Sequence, residues 1–170
     1  MEQSKLLKIS WIIYAIAVIL GMVISAVNLI SPRDYFCADW YEAYTGQSWS
    51  ELAAEQPKQA TLYEFYCRGG ACAWLSGSIY ALYITLTGYR KGEKRAWIIL
   101  LLGAILATGG PVVMSLMTDG KALFWIFWLC FDLVVLLLPA RDFLRQKRRI
   151  KEHSKRIQKE LRRRKSSRKR

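Results

Sequence analysis

Four long apolar stretches constrain this chain more than anything else in it: Ile9–Ile30, Ala71–Tyr89, Ala96–Met117 and Ala122–Ala140. A helix needs about 20 apolar residues to cross the hydrocarbon of a bilayer, and each stretch is near that length. The first three carry no charge and the fourth carries only Asp132. Inside lipid every backbone N–H and C=O must be satisfied within its own segment or in a closed barrel. Continuous apolar runs without period-two alternation select the helix. The expected fold class is therefore all-α, a polytopic membrane four-helix bundle over residues 1–140. An extracytoplasmic cap segment, 31–70, interrupts it, and a basic cytosolic tail, 141–170, follows. The first apolar run is read as a retained span, because its 22 residues exceed a signal-peptide core of roughly 7–15.

Charge then orients the bundle. The first 140 residues carry ten Lys/Arg and ten Asp/Glu, so the net charge of +13 resides in the last thirty. Short segments rich in Lys and Arg stay in the cytoplasm. The N-terminus (Lys5, Lys8), the loop Arg90–Arg95 and the tail share one side if the chain crosses four times. The other side receives the acidic 31–70 segment and the short Thr118–Lys121 turn. Both termini are expected in the cytosol, and the location expected is the plasma (inner) membrane.

The outer segment is dense in aromatics, including Tyr35, Trp40, Tyr41, Trp49 and Tyr63, which suit the headgroup layer. Ser48-Trp49-Ser50-Glu51 predicts a capping box opening a short helix that ends near Glu55 or Gln56. Pro57 then breaks that helix or starts the next. Gln59–Tyr66 permits an outward extension of the second span, and Gly69-Gly70 reads as a kink or a close-packing point.

Helices in lipid associate by close backbone approach at small residues. Such ridges occur at Ala17, Gly21 and Ser25, at Ala73, Gly77 and Ala81, and at Gly103 and Ala107. They predict a tight core of the first three spans, with the aromatic fourth span packed against it. Pro111 is expected to kink the third.

Asp132 is the sharpest candidate for function. It stands ten residues from one end of its span and eight from the other, near the midplane. A charge there costs about 2.5–3.5 kcal/mol on insertion scales, and burial disfavours the ionised form. Ser78, Tyr80 and Thr108 lie at matching depth, so these four residues form the candidate intramembrane polar site. Two readings compete: a carboxyl that binds a ligand or couples to ion movement, and a carboxyl that holds helices in register through hydrogen bonds.

The cysteines allow a disulfide on the outer side, Cys37 with Cys67 or Cys37 with Cys72, or else buried free thiols. No Cys-x-x-Cys, Walker loop, dinucleotide fingerprint or His-Glu-x-x-His occurs. The one histidine, His153, sits in the tail. No catalytic residue, metal site or cofactor is expected, and the chain does not read as an enzyme. In the tail, Phe143, Ile150, Ile157 and Leu161 form a narrow apolar stripe among bases. Arg145, Lys147, Arg148, Arg149 and Lys151 are the expected contacts to anionic headgroups. A nucleic acid or ribosome is the competing partner for the tail, and a homo-oligomer or membrane partner protein for the bundle.

Arg68-Gly69-Gly70, the Ala/Gly-rich span after it, Arg90-Lys91-Gly92-Glu93-Lys94-Arg95-Ala96-Trp97 and the Met117-Thr118-Asp119-Gly120 turn resemble four-span membrane proteins of the DoxX-like type. The resemblance covers residues 60–140 and implies a four-helix bundle. Members of that type often carry an arginine near the end of the third span, and Pro111–Ser115 has none. Three functional expectations follow. They are a structural or accessory membrane protein, a small transporter or ligand-binding bundle using Asp132, and a membrane-biogenesis factor with an RNA- or ribosome-binding tail.

Overall fold

The computed structural model describes residues 4–31, 37–117 and 122–144. Six α-helices follow in order: α1 (Lys5–Ile30), α2 (Cys37–Thr45), α3 (Trp49–Glu55), α4 (Pro57–Ile84), α5 (Lys94–Met117) and α6 (Ala122–Leu137). A π-helical turn, Thr85–Tyr89, ends α4. There is no strand among the described residues.

Local chemistry sets the helix ends. Ser4 caps α1 by accepting the Leu7 N–H at 3.2 Å, and its own hydroxyl donates to the Asp142 carboxylate beyond α6. The Ser48 hydroxyl accepts the Glu51 N–H at 3.3 Å while the Glu51 carboxylate accepts the Ser48 N–H at 2.9 Å. That is the reciprocal capping box expected at the start of α3. Pro57 occupies the first turn of α4, where its missing N–H costs nothing. Between α4 and α5 the chain reverses over Gly92, whose φ of 78° suits glycine.

Two helices, α1 and α5, are long and apolar enough to cross a membrane. At 1.5 Å per residue the 26 residues of α1 span roughly 39 Å. The other two expected spans differ from expectation in instructive ways. Rather than starting at Ala71, α4 is one continuous 28-residue helix from Pro57. The helix runs on through Gly69 and Gly70, and they mark no contact, since a Cβ on either would meet nothing within 4 Å. Its Ser, Gly and Tyr content keeps its apolarity below that of α1 and α5. The helix expected over Ala122–Ala140 ends at Leu137. Pro139, which cannot donate into a helix, sits in a turn there, and the chain is helical again over 140–144.

Packing also departs from expectation. The long helices form two pairs, α1 with α4 and α5 with α6, rather than a tight trio with α6 outside. The pairs join at one end, where α1 and α5 begin and α4 and α6 finish. There Leu7, Tyr89, Trp97, Leu100, Leu136 and Phe143 make the buried core. The π turn rotates Tyr89 into that core, fully buried. The small-residue ridges do not set the approach: a Cβ on Gly77 or Gly103 would meet nothing within 4 Å, and one on Gly21 only Ser78 Oγ at 3.6 Å. The close approach is at Gly88 instead, where an added Cβ would lie 2.7 Å from the Ala96 Cβ.

Outside the pairs, α2 and α3 fold back on the first half of α4. Tyr41, Trp49 and Tyr63 gather there with ring centroids 5.6–6.0 Å apart, over the buried Leu52 and Ala60.

Candidate functional site

Two helix pairs joined at one end leave a space between them. A cavity of about 810 Å³ lies there, walled by α1, α4, α5 and α6, within the ordinary range for small-molecule sites. The small residues explain it. Ala17, Gly21, Ser25, Ala73, Gly77, Ala81, Gly103 and Ala107 all line this cavity. A stripe with no side-chain volume, facing a neighbour that does not close in, makes a void. Aromatic rings complete the wall, with Trp74 and Trp125 at 5.5 Å and Phe124 and Trp128 at 6.4 Å.

The polar residues singled out from the sequence meet on the same surface. Asp132, Ser78, Tyr80 and Thr108 all line the cavity. No hydrogen bond joins them to one another among the described residues. The Thr108 hydroxyl donates to the carbonyl of Ala104, one turn back, at 2.7 Å, and Tyr80 is 69% exposed. The residue whose phenol interacts electrostatically with the half-buried Asp132 is Tyr14 of α1, which sequence reasoning missed. The signals available were its depth and its being the single tyrosine in α1.

Beneath Asp132 the joined end is closed. The Ser10 hydroxyl donates to the Val135 carbonyl at 2.5 Å. A serine hydroxyl has one hydrogen, so the Tyr89 hydroxyl is the donor in its 2.5 Å bond with Ser10. Trp97 Nε1–H donates to the Leu136 carbonyl at 2.7 Å. The Phe143 ring stacks on Trp97 at 5.2 Å and on Tyr89 at 6.0 Å. Tyr14 meets Tyr89 edge-on at 6.5 Å, linking the closed end to the cavity floor.

Toward the other end, Ser25 donates to the Gly21 carbonyl at 2.8 Å and Asn28 Nδ2 to the Ile24 carbonyl at 2.9 Å. Asn28 is 9% exposed, and its Oδ1 has no partner. Tyr63 belongs both to this wall and to the outer aromatic cluster. Burial, with a smaller contribution from Tyr41, holds its phenol above the usual value. Glu51 lies below the usual carboxylate range, chiefly through the Ser48 backbone N–H and then its hydroxyl.

Cys67 is disulfide-bonded, while Cys72 and Cys130 are free thiols, which removes the Cys37–Cys72 alternative. The side chain of Cys37 lies outside the described residues. So do Arg145, Lys147, Arg148, Arg149, Lys151 and the rest of the tail. Among the described residues no group of three or more His, Cys, Asp or Glu is placed to hold a metal ion. No protein-family model, curated protein or solved structure matches this chain.

Proposed function

We propose that this chain is a four-span protein of the plasma (inner) membrane, with both termini cytosolic, that binds a small, mainly apolar ligand beside Asp132. The observation that carries the reading is the cavity of about 810 Å³, on whose wall all four expected polar residues converge. Lipid as solvent is supported by what the long helices leave uncovered. Ile16, Val23, Val113 and Met117 are 54–77% exposed. Only 22% of the apolar window of α1, and 22% of that of α5, is buried. The core helix of a water-soluble protein would be mostly covered, and α5 lies too far along the chain to be a signal sequence. Lys5, Lys8 and Arg90–Arg95 flank the joined end, and the positive-inside bias supports a cytoplasmic side for it.

Binding is favoured over catalysis because, among the described residues, the wall offers one carboxylate and no lysine, arginine or histidine. The likeness to DoxX-like proteins agrees with a four-helix bundle and adds no activity.

Native mass spectrometry of the protein released from lipid nanodiscs tests the reading. A non-covalent small-molecule adduct is expected on the wild type and not on a Gly77→Leu/Gly103→Leu variant, whose new side chains occupy the open space. A wild type that carries no adduct, or a filled variant that carries the same one, contradicts it.

A further inference from the structure

We propose that the cavity takes an elongated organic amine, its ammonium against Asp132 and a hydrogen-bond donor at its far end against Asn28. This deepens the ligand-binding reading and rests on it. The argument is an inventory of hydrogens. The hydroxyls of Ser25 and Thr108 are spent on the Gly21 and Ala104 carbonyls, and one of the two Asn28 amide hydrogens on the Ile24 carbonyl. Ser25 and Thr108 are left with acceptor capacity, and Asn28 with its Oδ1 and one N–H. The Ser78 and Tyr80 hydroxyls serve either role.

Two acceptors stand out. The Asn28 Oδ1 is buried without a partner. Its amide cannot turn round, because the Ile24 carbonyl needs the NH₂ side. Asp132 is the only charged residue on the wall among the described residues. The two sit at different depths. Ser10 bonds Val135, so Tyr14 and Asp132, each about one turn further from the joined end, lie at similar depth. From Tyr14 to Asn28 is fourteen residues of α1, about 21 Å at 1.5 Å per residue. The wall is mainly apolar, with alanines and glycines beside Trp74, Trp125 and Trp128. Such a wall accommodates a thin apolar body, and its rings favour a nearby cation. An anion would meet the carboxylate with no basic residue to offset it. A plain hydrocarbon would leave the Asn28 oxygen unpaired, which burial penalises.

The test reads quenching of the cavity tryptophans by a bromoalkylamine in lipid nanodiscs, with competition by hexadecylamine, hexadecanol and ω-aminohexadecanol. The amino alcohol is expected to compete best, the amine next and the alcohol least, with steps of about tenfold each. Asp132→Asn should remove the preference for amine over alcohol. Asn28→Leu should remove only the advantage of the amino alcohol over the amine. If the alcohol competes with wild-type protein as well as the two amines do, the ligand class is overturned and the cavity reading stands. If the bromoalkylamine quenches the Gly77→Leu/Gly103→Leu variant as strongly as the wild type, the ligand-binding reading falls with it. The comparison of competitors uses wild-type protein alone, so it holds even where a variant misfolds.

Discussion

The joined end of the bundle and its open half are built from the same four helices, yet they use small residues in opposite ways. At the joined end Gly88 lets α4 come so near α5 that a Cβ would overlap the Ala96 Cβ at 2.7 Å. Eleven residues earlier on the same helix, Gly77 faces open space. Around Gly88 the neighbours are large and mutually satisfied: Tyr89 on Ser10, Trp97 on Leu136, Phe143 against both rings. Gly77 shares its cavity wall with Gly103, Ala107 and Gly21, and a Cβ on it would meet nothing within 4 Å. A glycine in a helix among apolar residues thus marks low volume. Whether that volume becomes a contact or a cavity depends on what the partner helix brings.

The contrast can be broken by substitution, and the largest effect should come at the joined end. Truncating Tyr89 to Ala removes a fully buried ring and leaves Ser10 with one partner fewer. A loss of about 3–5 kcal/mol is expected, measured by unfolding in a fixed detergent. Gly88→Ala forces a methyl into Ala96 and should cost about 1–3 kcal/mol by overpacking, read as a lower Tm. Gly77→Ala on the same helix meets nothing. It should stabilise by about 0.5–1 kcal/mol through helix propensity, so the two alanine variants should move Tm in opposite directions. If both lower it, the open half is packed after all.

Asp132→Asn should leave Tm nearly unchanged. The carboxyl accepts no hydrogen bond from a described residue, so its replacement breaks no register. A large fall in Tm would favour the structural reading of Asp132 over the binding one.

The smallest effect concerns the cap. Glu51 is held below its usual pKa by Ser48. Its contribution to α3 is therefore complete above the unfolded-state pKa and is lost as pH falls through the lowered folded-state value. Hydrogen exchange of the α3 amides should accelerate on acidification in the wild type. It should depend less on pH in Glu51→Gln.

These outcomes bear on how much was legible beforehand. The helical class was legible because uninterrupted apolar runs leave the backbone no other way to satisfy itself. The α3 capping box and the Pro57 start were legible because each is settled within four residues of chain. That Asp132, Ser78, Tyr80 and Thr108 would line one wall could be read from matching depth, since a helix advances a fixed distance per residue. Pairing could not. That α1 packs on α4 and α5 on α6 depends on which faces meet across long separations, and a ridge of small residues is written the same way for a contact and for a void. Tyr14 was missed for that reason: its depth was available, but its proximity to Asp132 follows from α1 joining α6 at Ser10 and Val135. The continuity of α4 through Gly69-Gly70 was also hidden, because two glycines weaken a helix without fixing where it ends.

The most direct test of the open half is the thermal unfolding of the Gly77→Leu/Gly103→Leu double variant in the same lipid or detergent as the wild type. The account predicts a monodisperse protein with a Tm equal to or above that of the wild type, because both side chains enter empty space. A variant that unfolds earlier or aggregates would show α4 and α5 already in contact along those faces, and the cavity with all that rests on it would be withdrawn.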